Sequence, residues 1–314
     1  MFKKIANHQP VMLEEVLNVV PPNGELMIDF TLGMGGHSEA ILRENKGYRL
    51  IGFDRDSEAI SMASQRLIDF KERILIKQAK FNQACDYLKK EKITASFILV
   101  DLGISSWQLD QAERGFAFSQ QGPLDMRMDN TSGLSASDYV NQATYESLRQ
   151  ILREYGQEPF AARIAKGIVN ERLEKKISTT TELADIVNKY KPKKRKKKGG
   201  RRHNQATLTF QAIRIHINDE INQLKILLNS LESITAPDSV VAVLGFHSLE
   251  DRLVKRRFAY LAKSCVCDKS LPVCRCRGIS LVEMITKKCI KADEVEIESN
   301  PRSRSARLRV VKFK

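Results

Sequence analysis

Apolar positions in the first hundred residues come as short continuous runs, each closed by an acid. Leu26-Met27-Ile28 runs into Asp29 and Phe30, Leu50-Ile51-Gly52-Phe53 into Asp54, and Phe97-Ile98-Leu99-Val100 into Asp101. Runs of this kind predict strands buried on both faces, as in a parallel sheet covered by helices. Helical spacing fills the gaps: Ser38 to Glu44, Ser57 to Phe70 through Ile60, Ala63 and Leu67, and Gln83 to Lys90 after a weaker strand at Arg73 to Ile76. Such alternation predicts an α/β sheet. Ligands of these sheets sit beyond the carboxyl ends of the strands, where Asp29, Asp54 and Asp101 fall.

After residue 105 the alternation stops. A Gly- and Met-rich loop, Gly115 to Gly133, leads into helical patterns at Tyr145 to Tyr155, Pro159 to Leu173 and Thr181 to Tyr190. Strand patterning returns at Ser239 to Leu244 and at Ala306 to Val311. The expectation is a discontinuous α/β domain, residues 1–106 and 206–314, with an inserted helical domain, 107–205.

The loop after the first strand reads Asp29-Phe30-Thr31-Leu32-Gly33-Met34-Gly35-Gly36-His37. Gly33 and Gly35 begin a dinucleotide fingerprint, but Ser38 stands where its third glycine belongs. An acid beside the loop would repel a pyrophosphate and attract a cation. That favours S-adenosylmethionine, whose sulfonium and amino groups are positive. Asp54, eighteen residues beyond Gly36, stands where an acid accepts hydrogen bonds from ribose hydroxyls. Without a ligand, the same glycines would simply make a tight turn.

Charge adds a partner class. Lys and Arg exceed Asp and Glu by 14, and ten of these cations lie in the acid-free segment 189–202. A concentrated basic run points to a polyanion such as nucleic acid, although a solvated loop has the same composition. No apolar run approaches the roughly 20 residues of a membrane helix, so no membrane partner is expected. The first sixteen residues lack the apolar core of an export signal. Six cysteines are too few for a disulfide framework in a chain of this length, and a reducing cytoplasm is the expected location.

Longer motifs carry a family resemblance. They include His8 to Glu15, Asp29 to Ser38, Phe53 to Asp56, Asp101 to Ser106 with Gln108-Leu109-Asp110, Glu113 to Phe116, and Gly122 to Met128. Thr209 to Ala212, Phe246 to Arg252 and Asn300 to Ser305 extend them almost to the end of the chain. Together they resemble the bacterial 16S ribosomal RNA cytosine-N4 methyltransferases (the RsmH/MraW family). The resemblance implies a Rossmann-like class I S-adenosylmethionine-dependent methyltransferase sheet with an inserted all-helical domain. It also implies cofactor contacts at Gly35, Gly36, His37, Asp54, Phe81, Asp101 and Gln108, beside Gly33 from the loop itself, and 16S ribosomal RNA or the small ribosomal subunit as partner. One departure is that Gln205 and Leu208 replace a proline and an arginine usual in the family.

Methyl transfer to an exocyclic amine needs a positioned acceptor for its proton. Many amino methyltransferases use an Asp/Asn/Ser-Pro-Pro-aromatic loop after the fourth strand, whereas this chain has Asp101-Leu102-Gly103-Ile104. Asp101 is therefore the expected acceptor. His247 is a second catalytic candidate; the bland alternative is a histidine that fixes its loop through the backbone. Lys193 to Lys198 with Arg201 and Arg202, and a C-terminal set of Arg302, Arg304, Arg307 and Arg309, are candidate phosphate contacts. Cys265, Cys267, Cys274 and Cys276 form a C-x-C…C-x-C pattern that four-thiolate zinc would suit. Its spacing is tighter than the usual C-x₂-C, and no metal is assigned. The rival functions are methylation of another RNA or DNA, and a non-catalytic RNA-binding ribosome assembly factor.

Overall fold

The structure, a computed structural model, describes residues 10–118, 120–192, 205–267, 273, 275–276 and 278–314. In chain order the elements are α1 (Leu13–Leu17), β1 (Leu26–Asp29), α2 (Gly36–Glu44), β2 (Arg49–Asp54), α3 (Ser57–Arg66), β3 (Ile74–Gln78), α4 (Phe81–Lys90) and β4 (Ala95–Asp101). Then follow α5 (Ser106–Asp110), α6 (Ala136–Gln142), α7 (Tyr145–Glu154), α8 (Ala161–Glu174), α9 (Thr180–Tyr190) and α10 (Thr207–Ile217). Last come α11 (Glu220–Ile234), β5 (Thr235–Gly245), α12 (Ser248–Leu261), β6 (Val282–Met284), α13 (Glu294–Ser299) and β7 (Arg307–Phe313).

The strands make one seven-stranded sheet in the order β3-β2-β1-β4-β5-β7-β6. Pairing is parallel from β3 to β5, and β7 runs antiparallel to both β5 and β6. This is a Rossmann-like order. The chain winds outward from β1 through β2 to β3, then crosses back to β4 on the other side of β1. Its switch point lies between β1 and β4, the place where such sheets open a crevice.

Strand alternation divides the core. Ile28, Ile98, Val100, Val241 and Val243 face α4, α11 and α12 through Leu88, Leu227, Leu231, Val254 and Phe258. Met27, Phe97, Leu99, Val240, Ala242 and Leu244 face the other way, toward Val16, Ile41, Leu42, Ala63 and Leu67 of the α1–α3 region. Each run is apolar throughout because both of its faces are buried.

The chain divides into two compact units, Met1–Gly103 with Ile221–Lys314, and Ile104–Glu220. The second is all-helical in its described regular elements apart from an isolated bridge, and has its own core. Leu148, Ile151 and Leu152 of α7 share it with Ile164, Ala165 and Ile168 of α8, which packs in turn against α9 with Leu183 and Val187. Phe210, Ala212 and Ile213 of α10 belong to this core too, so the helical unit continues past residue 205, where the sequence pattern closes it. Capping boxes start α6 at Ser135 and α9 at Thr179, which satisfies exposed N–H groups of the first turns. No helix among the described residues is long and apolar enough to cross a membrane.

Candidate active site at the carboxyl edge of the sheet

The three strand-end acids close β1, β2 and β4 and differ in how they are held. Asp29 is buried. Its Oδ1 accepts from the Thr31 backbone N–H at 3.0 Å, and its Oδ2 accepts from the Ser38 hydroxyl at 2.7 Å. It thereby ties both ends of the glycine loop to the strand. Asp54 accepts from the Gly33 N–H at 2.8 Å and the Asp56 N–H at 2.9 Å, linking that loop to the start of α3.

Asp101 lies at the switch point. Its backbone N–H donates to the Thr31 hydroxyl at 2.6 Å, which ties the ends of β1 and β4 together. Its carboxylate differs from the other two, because Oδ1 is shut off from solvent and has no hydrogen-bond partner among the described residues. The side chain as a whole keeps 27% of its area exposed, so the group is partly open to solvent with one oxygen turned inward. An unpartnered buried acceptor costs about 1–3 kcal/mol, and such groups cluster where ligands or chemistry require them.

The electrostatics follow from this crowding. Burial is the main cause that raises Asp101 to about 8, with Asp29 and then Glu250 adding to it. Burial also raises Asp29, to about 6, against the hydrogen bonds from Ser38 and Thr31. Asp54 is raised for the same leading reason. The charge of one carboxylate raises the next, Asp54 acting on Asp29 and Asp29 on Asp101, and a cationic ligand would relieve them.

The loop glycines serve the turn itself. Gly33 and Gly35 have φ of 52° and 78°, the left-handed region that costs an L side chain energy. A Cβ on Gly36 would come within 2.7 Å of the Pro10 ring, so this glycine makes room for Pro10. His37, in the first turn of α2, is buried. Its Nε2 donates to the Val11 carbonyl at 2.9 Å, and its Nδ1 lies 3.8 Å from Asp101 Oδ2. Phe81 begins α4, packs edge-on against Phe30 and stays partly exposed. Gln108 lies in the helical unit, buried at the start of α5, where its Oε1 accepts from the Ser105 N–H.

His247 is the N-cap of α12. Its Nδ1 accepts from the Glu250 N–H at 3.4 Å, while Glu250 Oε2 accepts from the N–H groups of Phe246 and His247. His247 Nε2 lies 3.1 Å from Glu250 Oε1, outside hydrogen-bond geometry. The sequence by itself assigns no role to Glu250, or to Thr31 and Ser38 as partners of Asp29. Their spacing to Asp29 was the available signal, since Asp-x-Thr is an Asx-turn pattern.

Two of the four C-terminal arginines are less available than their sequence suggests. Arg309 is buried and bonds Asp251 at 2.7 Å, and Arg307 reaches the same carboxylate at 3.4 Å. In the basic segment, Lys189 pairs with Glu171, and buried Lys191 pairs with Glu158 at 2.6 Å. Residues 193–204, which hold the rest of that segment, lie outside the described residues, as does Cys274. Gln205 packs at the end of this stretch, its carbonyl accepting from Lys191 Nζ.

The sequence profile of the MraW methylase family matches residues 5–314. The chain belongs to the MraW methylase family. Curated relatives are similar over nearly their whole length. A protein of Syntrophotalea carbinolica named ribosomal RNA small subunit methyltransferase H is 42% identical over 99% of both chains. Proteins with the same name from Lawsonia intracellularis and Clostridioides difficile are 45% and 43% identical, over 96% and 97% of this chain and 98% of theirs.

Proposed function

We propose that this chain methylates the N4 amine of a cytosine in 16S ribosomal RNA, in the cytoplasm, with S-adenosylmethionine as donor. The single observation that carries the site assignment is the unpartnered inward oxygen of Asp101 at the switch point. Family membership and the names of the relatives support the substrate.

The residues fit a cationic cofactor. The bound cofactor supplies an electrophilic methyl group on a positive sulfur. Asp54, anchored by the backbone N–H groups of Gly33, Arg55 and Asp56, keeps acceptor capacity for ribose hydroxyls. Gly33, Gly35, Gly36 and His37 form the wall that holds it, and Phe81 offers an aromatic edge for its base. Asp101 accepts an N–H of the substrate amine, draws the nitrogen toward tetrahedral geometry and takes up its proton. A nearby cation favours the charged form of Asp101, so the acceptor becomes competent when the site is loaded. We assign His247 to positioning: as N-cap it fixes Glu250, whose charge acts on Asp101.

Two measurements test the reading. Isothermal titration should show binding of S-adenosylmethionine, which separates an enzyme from an assembly factor with a decayed site. Mass spectrometry of ribosomal RNA nucleosides, with and without the gene, should show one N4-methylated cytidine disappearing. A nucleoside profile that does not change would reject the substrate assignment.

A further inference from the structure

Between Leu261, the last residue of α12, and Val282, the first of β6, the chain makes a twenty-residue excursion without a described helix or strand. None of its described residues is buried, and Val273 and Ile279 are exposed. Loops this long rarely hold a fixed path without a hydrophobic core or a crosslink. The described residues contain no such core. They do contain three thiols brought together from its two arms: the Sγ atoms of Cys265, Cys267 and Cys276 all lie within 4.8 Å of one another.

We propose that Cys265, Cys267 and Cys276 bind a zinc ion that staples this loop. A tetrahedral site with Zn–S bonds of about 2.3 Å holds its sulfurs about 3.8 Å apart, so the observed cluster needs only a small contraction. The surroundings suit thiolates. The Val266 N–H donates to Cys276 Sγ at 3.3 Å, and the Arg275 N–H donates to Cys267 Sγ at 3.3 Å. Each arm thus donates a backbone N–H to a sulfur of the other. Such bonds orient metal-bound sulfur and stabilise its negative charge. With three sulfur donors the site selects a soft or borderline ion, and Zn²⁺ needs no redox partner. The fourth position of the tetrahedron belongs to a donor outside these three residues.

The test uses the full chain, purified with a thiol reductant and without added metal. Elemental analysis should find about one zinc per chain. Adding Co²⁺ to the metal-stripped protein should give an intense sulfur-to-cobalt charge-transfer band in the near ultraviolet. C265S, C267S and C276S should each weaken zinc binding by about tenfold or more, while C289S should leave it unchanged. Chelation of the unaltered protein should speed proteolysis within residues 262–281, and added zinc should restore resistance, a readout that needs no variant to fold. Wild-type protein that takes up neither zinc nor cobalt would overturn the proposal. So would variants that retain full zinc affinity, zinc loss in C289S, or a thiol titration showing these cysteines oxidised in pairs under the same reducing conditions.

Discussion

His37 turns its Nδ1 toward Asp101 Oδ2 at 3.8 Å while its Nε2 donates to the Val11 carbonyl. Since a carbonyl only accepts, the Nε2 carries a proton. In the neutral ring the Nδ1 then presents a lone pair to the carboxylate, and the two repel unless a proton lies between them. Burial, with the charges of Asp29 and Glu250, favours a protonated Asp101 beside this ring.

The first prediction is a proton released on cofactor binding. With Asp101 raised to about 8, the free protein holds this proton at pH 7. A bound cation favours the charged form, so the proton leaves. Calorimetric titrations in buffers of different ionisation enthalpy should show a net release approaching one proton near pH 7. Apparent affinity should rise from pH 6 to 8 and level off above. Binding that is independent of both buffer and pH would remove Asp101 from the cofactor's surroundings.

Asp101→Asn should act on stability and turnover in opposite directions. Between about pH 4 and 8 the folded state keeps a proton that the unfolded chain has released, so stability falls as pH rises through this window. The amide has no charge to desolvate. At pH 7 to 8 the cofactor-free variant should be more stable by at least about 1 kcal/mol, seen as a raised Tm. Turnover should drop by more than cofactor affinity does, since the acceptor matters most as the amine becomes positive. Equal losses in turnover and affinity would confine Asp101 to cofactor binding.

Glu250→Gln keeps an oxygen to accept from the Phe246 and His247 N–H groups and removes the charge. Asp101 should then titrate lower. The acidic limb of the rate profile should move to lower pH while the fold stays intact by circular dichroism. An unmoved limb would show that Glu250 serves only to cap α12.

Asp54→Ala should weaken cofactor binding by about 1.5–3 kcal/mol, the worth of a charge-assisted hydrogen bond. Asp54→Asn, which keeps an acceptor for the Gly33 N–H, should lose less. If alanine and asparagine are equally benign in titration, the ribose contact is wrong.

Replacing Lys193 to Lys198 with Gly and Ser should lower RNA affinity and flatten its salt dependence by about two to four units of slope. Cofactor affinity should not change. An unaltered salt slope would leave RNA binding to other surfaces of the chain.

The sheet was legible because its physics is local. A strand buried on both faces must be apolar throughout, and Leu26 to Asp29, Leu50 to Asp54 and Phe97 to Asp101 show this without reference to distant residues. The helical insertion was legible in the same way, through the lost alternation after residue 105. Its far boundary was not. Phe210 and Ile213 have the spacing of any amphipathic helix, and only packing against α6 and α7 assigns α10 to the helical core. The acids also needed the fold. Sequence placed Asp29, Asp54 and Asp101 at equivalent strand ends, but hydrogen bonding distinguishes them. Thr31 and Ser38 reach Asp29, the backbone of Gly33 and Asp56 reaches Asp54, and one oxygen of Asp101 is left without a partner. Arg309 shows the same limit from the other side: its charge was plain in the sequence, and its burial against Asp251, 58 residues away, was not. Alternation and charge are properties of neighbours along the chain. Desolvation and pairing depend on which distant residues the fold brings together, so tertiary structure alone decided which charges stayed available.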